Sequence, residues 1–143
     1  MTQTGDAAQM DGQRWFDADC TQAAFLLGGI GTGNISVGAR GDLRDWELFG
    51  TAGKGNYFPD TFFAIRAQAG AGEAITAVLE GPVQPPYSRS HGFYAHETAG
   101  LRRFAQSRMK GEYPFVTVEL SDPALPLRVT LEAGITTVRD AGG

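Results

Sequence analysis

Short runs in which apolar and polar residues alternate are the strongest pattern in this chain. The alternation is clearest in residues 114–120 and 127–133, where every second residue is valine or leucine over most of each run. A period of two is typical of β-strands with one buried face. Runs of this kind predict seven strands, at residues 34–37, 43–49, 61–68, 74–80, 101–109, 114–120 and 127–133.

Turn-forming residues separate these runs and exclude long helices. The chain has 20 glycines and 7 prolines, and no amphipathic helical pattern of useful length lies between them. Residues 61–68 and 74–80 are predicted to form an antiparallel hairpin, and Ser121-Asp122-Pro123 is predicted to begin a turn. In the run 43–49 the apolar residues change faces, which indicates a bulge or twist near Arg44. Many short strands predict an all-β fold, an antiparallel β-sandwich.

Composition and charge place the chain among folded domains. It has 143 residues, of which 42% are hydrophobic and 20% charged, so one domain with a packed core is expected. The predicted division is a flexible N-terminal tail over residues 1–21 and a sandwich domain over residues 22–140. The net charge is −4, and the one basic stretch, at 101–110, is interpreted as the solvated face of a strand. No nucleic-acid partner is predicted, because that function needs a clustered positive surface.

Cysteine and histidine usage predicts no metal and no cofactor. Cys20 is the only cysteine, so an internal disulfide and a thiolate zinc site are both excluded. His91 and His96 lie in a predicted loop with too few ligands of fixed spacing for a metal ion. No apolar run approaches the roughly 18 residues of a membrane span, and the polar N-terminus is unlike a signal peptide. A cytoplasmic location is therefore expected.

The glycine-rich stretch at residues 26–50 has three interpretations: a phosphate loop, part of a sugar site, or a tight hairpin. The glycines at 29, 31 and 33 lack the spacing of a dinucleotide fingerprint and precede a predicted strand, not a helix. Residues 50–55 contain Lys54, but Gly55 stands where a phosphate loop has Ser or Thr. Nucleotide binding is therefore not expected, and backbone turns are the better explanation.

Carboxylates cluster near this stretch. Asp45 and Glu47 share a strand face by period, and Asp42 and Asp60 lie close in sequence. Retaining glycosidases use two carboxyl groups roughly 5 Å apart. The alternative is a solvated, salt-bridged strand edge, which is common when arginines are adjacent. The spacing alone leaves both open.

Several blocks, taken in order, resemble glycoside hydrolase family 116, the family of non-lysosomal glucosylceramidase and bile acid β-glucosidase. The resemblance covers about residues 23–133 and is specific because the blocks occur in order. They are Leu-Gly-Gly-Ile-Gly-Thr-Gly at 27–33, Gly-Ala-Arg-Gly-Asp-Leu-Arg-Asp-Trp-Glu-Leu-Phe at 38–49, Phe-Phe-Ala-Ile-Arg at 62–66, Val-Leu-Glu-Gly at 78–81 and Gly-Glu-Tyr-Pro-Phe at 111–115.

The resemblance implies an N-terminal β-sandwich domain that packs against an α/α toroid, in which the family's catalytic Glu and Asp lie. The sequence departs from the family pattern after Ala133, so the sandwich is expected to be incomplete. The toroid is expected to be absent from this chain, so no catalytic residue is assigned and the chain alone is expected to be inactive. Candidate contacts to the substrate entrance or to the toroid are Arg40, Asp42, Asp45, Trp46 and Asp60.

The alternative function is a free-standing carbohydrate-binding module, with a glycoside as its ligand. Exposed aromatic rings would then stack on the sugar, and the candidates are Trp46, Tyr57, Phe58, Tyr87 and Tyr94. The competing interpretation places these rings in the core or at the interface with the toroid.

Overall fold

Nine β-strands form the described part of the chain. The computed structural model describes residues 14–29, 31–58, 60–68, 70–85, 100–125 and 127–135. His91, His96, Tyr87, Tyr94 and residues 136–140 of the predicted domain lie outside these ranges. The strands are β1 (Trp15–Asp17), β2 (Ala24–Leu27), β3 (Asn34–Gly38), β4 (Leu43–Glu47), β5 (Ala64–Ala67), β6 (Ile75–Val78), β7 (Gln106–Glu112), β8 (Phe115–Ser121) and β9 (Arg128–Gly134).

The largest sheet has four strands in the order β1-β7-β8-β9, and each neighbouring pair is antiparallel. Its alternating residues place one apolar row across all four strands. Phe16 lies opposite Met109, Met109 opposite Val118, and Val118 opposite Leu131. Met109 and Val118 are almost completely buried, so this row forms the inner face of the sheet.

Two smaller antiparallel sheets, β2-β3-β4 and β5-β6, supply the rest of the core. In the first, Val37 lies between Phe25 and Leu43, and in the second Ile65 lies opposite Ala77. Side chains from both sheets pack in one cluster with the inner row of the four-stranded sheet. The described residues contain no helix, and the fold is an all-β, sandwich-like arrangement, as predicted.

Five features predicted from the pattern are confirmed: the β5–β6 hairpin, strands β3, β8 and β9 with small boundary shifts, and the turn that begins at Asp122. The predicted strand at 101–109 begins only at Gln106. The extent predicted for the tail is wrong, because Trp15–Asp17 forms β1 and pairs with β7. Strand β2 was not predicted.

The irregularity predicted near Arg44 is a β-bulge. Asn34 pairs with Glu47 and Ser36 with Arg44, so two residues of β4, at 45 and 46, lie opposite one residue of β3. Asp45 has a φ of 52°, a left-handed conformation typical of the first residue of one bulge class. The bulge explains why the apolar residues of this strand change faces.

The first part of the glycine-rich stretch, at residues 28–33, connects β2 to β3, and a strand, not a helix, follows it. Gly28, Gly31 and Gly33 have φ angles of 136°, 77° and 82°, which favour glycine over other residues. A Cβ at Gly28 would overlap the Gly33 carbonyl oxygen, so this position also requires close backbone approach. The hairpin interpretation of these glycines therefore agrees with the structure.

Candidate functional site

The connection between β3 and β4 is a hairpin tip that is buried within the chain. The Gly41 amide donates to the Gly38 carbonyl (2.8 Å), and the Gly38 amide donates to the Asp42 carbonyl (2.9 Å). Gly41 has a φ of 88°, and a Cβ there would lie 3.1 Å from the Leu79 carbonyl oxygen. A tight turn with a glycine lets this tip insert between the sheets.

Backbone contacts hold the tip against neighbouring segments. The Gly81 amide donates to the Arg40 carbonyl (2.7 Å), and the Ser107 hydroxyl donates to the Ala39 carbonyl (3.4 Å). A Cβ at Gly81 would collide with the Ser107 hydroxyl. Glycine at 81 is therefore needed for the close approach of the tip, the segment after β6, and β7.

A cluster of four buried charges surrounds the tip. The Glu80 carboxylate oxygen Oε2 accepts hydrogen bonds from Arg40 Nη1 (2.9 Å) and Arg103 Nε (3.0 Å), and Asp42 Oδ2 lies 3.4 Å from Arg40 Nη2. Each of these side chains is at most 8% exposed. Two guanidinium groups and two carboxylates balance formally, which is the condition for burying charge at tolerable cost.

Arg103 reaches Glu80 because two irregular segments run side by side. The Val78 amide donates to the Arg102 carbonyl (2.8 Å), and the Phe104 amide donates to the Glu80 carbonyl (3.0 Å). Val78 and Arg103 form a parallel bridge between the two segments. The interpretation of residues 101–110 as one solvated face is therefore wrong for Arg103, which is buried in an ion pair.

Tyr57 joins this cluster from the loop after β4. Its backbone forms an isolated antiparallel bridge with Arg44, and its hydroxyl lies in the electrostatic field of the four charges. Burial raises the pKa of the Tyr57 hydroxyl well above its ordinary value, and the Glu80 carboxylate raises it further. The neutral phenol is thus the form that suits the folded protein.

The bulge at Asp45 anchors the same loop. The Asp45 amide donates to the Asn56 carbonyl (2.8 Å), and the Asp45 Oδ1 atom accepts from the Gly55 amide (2.7 Å). Lys54 Nζ lies 3.9 Å from both Asp45 Oδ2 and Glu47 Oε1. The two carboxylates considered as a glycosidase pair thus share one lysine, as in a salt-bridged strand edge.

Aromatic residues cover the outer part of the loop. Trp46 and Phe58 make an edge-to-face contact with ring centroids 5.6 Å apart, and the indole donates to the Leu43 carbonyl (3.4 Å). Phe49 is completely exposed. It has a φ of 56°, and Gly50 follows at 71° in a turn closed by the Thr51 amide and the Leu48 carbonyl.

The five residues named from the sequence are therefore divided between two environments. Arg40, Asp42 and Asp45 are buried, so little of their surface is left for a partner or substrate. Trp46 is half-buried and Asp60 is exposed, and their predicted role at an entrance or interface stays a prediction. The β3–β4 hairpin brings Arg40 and Asp42 together. Asp45 lies in β4 and is bound to the loop that follows this strand.

Sequence reasoning missed Glu80 and Arg103 of the buried cluster, and it considered Tyr57 only as an aromatic ring for stacking on a sugar. The block at 78–81 was one of those that carried the family resemblance, which was a signal for Glu80. No local pattern marks Arg103, because its partner lies 23 residues earlier in the chain.

No cofactor or metal centre is evident in the described ranges. They hold no group of three or more His, Cys, Asp or Glu side chains arranged for a metal ion. They also include no helix with the length and apolar character to cross a membrane. A groove of about 790 Å³ lies along the four-stranded sheet, but none of the five predicted site residues lines it.

Replacing Glu80 tests the buried cluster. We expect Glu80→Gln to lower the free energy of unfolding by about 3 kcal/mol or more, since it leaves two buried guanidinium groups without their shared carboxylate. The matched control is Glu119→Gln, which removes the exposed pair with Arg108 and should cost at most about 1 kcal/mol. Urea denaturation followed by tryptophan fluorescence gives both values, and equal losses would contradict the importance of the cluster.

The raised pKa of the Tyr57 hydroxyl predicts that the domain loses stability at high pH. The folded-state pKa lies above the unfolded value of about 10, so the stability from the neutral phenol is present below pH 10 and falls as the pH rises above it. Tyr57→Phe should flatten the decline in the free energy of unfolding between pH 9 and about 11. Tyr113→Phe is the control, because Tyr113 is exposed. An identical decline in both variants would contradict this assignment.

Comparisons with known proteins agree with these observations. A search of the curated proteins found no match to the chain. The family described as beta-glucosidase 2, glycosyl-hydrolase family 116 N-term, matches residues 24–136. This match spans most of the chain and contains the buried cluster, the bulge and all strands from β2 to β9. The chain therefore belongs to glycosyl-hydrolase family 116, of which it carries the N-terminal domain.

Proposed function

We propose that this domain acts as a non-catalytic support for the catalytic domain of a family 116 β-glycosidase. The family match over residues 24–136 supports the glycosidase context, and a β-glucoside is the substrate class suggested by the family description. The partner would be the α/α toroid implied by the family resemblance. A cytoplasmic setting remains a prediction.

Phe49 is the observation that carries this proposal. A left-handed conformation costs a residue with a side chain roughly 1–2 kcal/mol, and a fully exposed phenyl ring gains nothing from burial. The turn at Leu48–Thr51 has the geometry in which Asn-Gly is preferred, yet it contains Phe-Gly. Two unfavourable features at one position support a role in binding, because strained residues concentrate at functional sites.

The carboxylates of the domain support a structural role over a catalytic one. Asp42 and Glu80 are buried with arginines, and Asp45 is held by the Gly55 amide. Of the pair considered from the sequence, Glu47 is the more exposed, and Lys54 lies between it and Asp45. A general acid or nucleophile must reach the glycosidic bond, which these engaged groups are poorly placed to do.

A carbohydrate-binding module is the competing proposal. Stacking on a sugar requires a free aromatic face, and Phe58 is 46% exposed. However, Trp46 packs edge-to-face on Phe58, and the Tyr57 hydroxyl is buried. These contacts favour packing within the domain over a sugar platform.

Binding to a catalytic domain is the direct test. We expect the purified chain to bind a separately expressed family 116 catalytic domain, and Phe49→Asn to weaken that binding by at least about tenfold. The same variant should fold with equal or greater stability, because asparagine suits the left-handed turn. Opposite effects on binding and on stability would separate a binding role from a folding role.

Phe115→Asn provides the matched control for this experiment. Phe115 is also an exposed phenylalanine, at 61%, but it belongs to a different sheet. Phe115→Asn should leave the affinity of the chain for the catalytic domain unchanged. Binding that is unaffected by Phe49→Asn would contradict the assignment of this surface.

A second measurement separates support from sugar binding and catalysis. Calorimetric titration of the chain with an alkyl β-glucoside at millimolar concentration should show no binding heat, and the chain alone should not hydrolyse an aryl β-glucoside. Binding that is lost in Trp46→Ala would favour the carbohydrate-binding module. Hydrolysis that disappears in Asp45→Asn or Glu47→Gln would show catalysis and overturn the proposal.

A further inference from the structure

The loop after β4 folds back along the strand that it leaves. Tyr57 forms an antiparallel bridge with Arg44, and the Asp45 amide donates to the Asn56 carbonyl (2.8 Å). Strand β4 and the returning chain are therefore two legs of an irregular hairpin. The residues between the two legs form its tip, and Phe49 lies in this tip.

Glycine at position 53 lets the returning leg come close to β4. A Cβ at Gly53 would collide with the carbonyl oxygen of Trp46. The Gly53 amide donates to the Glu47 carboxylate (3.4 Å), and the Gly53 carbonyl accepts from the Asn56 amide (2.8 Å) in a turn. The turn connects the contact at Trp46 to the contact at Asp45, so the two legs meet at successive positions along the strand.

Asp45 is an unusual residue for the conformation that it adopts in this hairpin. Its φ of 52° is left-handed, and glycine is the residue that usually occupies this position in a bulge, because it has no Cβ to strain. Aspartate tolerates the conformation better than most residues but still at a cost in energy. A residue kept at such a cost points to a use for its side chain.

The Asp45 carboxylate binds the returning leg directly. Its Oδ1 atom accepts from the Gly55 amide (2.7 Å), and Asp45 is buried, where a charge-assisted hydrogen bond is strengthened. The backbone amide of the same residue binds Asn56, so one residue holds two successive residues of the leg. Lys54 contributes less, because its ammonium is 3.9 Å from Asp45 Oδ2 and its side chain is 66% exposed.

From these contacts we infer that Asp45 is the positioning residue for Phe49. Its two hydrogen bonds fix the returning leg, and thereby hold the turn at residues 48–51 in one arrangement before a partner binds. The inference rests on the proposed function, in which Phe49 binds the catalytic domain. A single projecting phenyl ring on a fixed turn fits an apolar recess of the partner, as the anchors of protein interfaces do.

Amide hydrogen exchange of the isolated chain tests the anchoring. Asp45→Gly suits the left-handed conformation but removes the carboxylate, so the Gly55 amide should exchange at least about tenfold faster. Asp45→Asn keeps an acceptor oxygen, and the acceleration should stay below about threefold. The Gly41 amide, in the β3–β4 hairpin, is the internal control and should exchange at the wild-type rate in both variants.

Binding to the separately expressed catalytic domain tests whether Asp45 acts through Phe49. Asp45→Gly should weaken the affinity at least about fivefold, because a loosened tip loses more conformational entropy on binding. Asp45→Asn should recover the wild-type affinity to within about twofold. In a Phe49→Asn background, Asp45→Gly should have almost no further effect, since the ring that it positions is already missing. A residue that only stabilised the fold would not show this dependence.

Gly53→Ala is a second variant that leaves Asp45 intact. It displaces the same leg through the collision with the Trp46 carbonyl, and it should reproduce both the faster exchange at Gly55 and the weaker binding. The inference is overturned if exchange at Gly55 is indifferent to Asp45→Gly. It is also overturned if Asp45→Gly weakens binding equally with and without Phe49, because Asp45 would then contact the partner itself.

The same measurements distinguish this inference from the proposed function. If Phe49→Asn leaves the affinity unchanged, the proposed function of Phe49 is wrong, and a positioning role in binding is wrong with it. Exchange at the Gly55 amide is measured without a partner, and it decides separately whether Asp45 anchors the loop. Weaker binding in Phe49→Asn together with unchanged exchange in Asp45→Gly would support the proposed function and overturn only the inference.

Discussion

The Glu80 carboxylate is the contact on which the arrangement of this domain depends. One of its oxygens holds two guanidinium groups, Arg40 from the β3–β4 hairpin and Arg103 from the segment before β7. These residues are separated by 40 and 23 positions in the chain from Glu80, so the contact closes two long loops at once. Because an uncompensated buried charge is very unfavourable, only arrangements that bring all three groups together are compatible with a folded domain.

This constraint also explains why the hairpin tip has its particular sequence. The tip must insert deeply enough for Arg40 to reach Glu80, and Gly41 and Gly81 permit that approach. Apolar packing alone would tolerate other depths of insertion, since hydrophobic contacts have little directionality. We therefore interpret the charge cluster as the element that specifies the position of the hairpin between the sheets.

Local periodicity predicted much of the fold. Strands β8 and β9 were recognisable because seven residues give several alternations, and the bulge was recognisable because apolar residues of β4 change faces. Strands β1 and β2 have three and four residues, too few for a period to emerge. Their pairing depends on distant partners, such as β7 for β1, which local sequence does not contain.

The candidate site was less predictable, for a related reason. The sequence indicated that the stretch around Arg40 and Asp42 was important, but charged residues are usually exposed, so both were expected at the surface. Their burial depends on Glu80 and Arg103, whose positions follow from the parallel bridge between Val78 and Arg103. Phe49 departs from expectation in the opposite direction to the buried charges. It is apolar and was expected in a strand, yet it is fully exposed.

The loop after β4 connects these two departures from expectation. This loop is anchored by polar groups, since the Asp45 carboxylate accepts a hydrogen bond from the Gly55 amide and the buried charges act electrostatically on the Tyr57 hydroxyl. Phe49, near the start of this loop, has a left-handed φ of 56° and is fully exposed, so its ring is directed outward. An exposed aromatic tip on a hydrogen-bonded loop suits binding to another surface, because backbone anchoring reduces the conformational entropy that is lost when the ring is buried. In the proposed function, the buried charges act indirectly, by stabilising the part of the domain that carries Phe49.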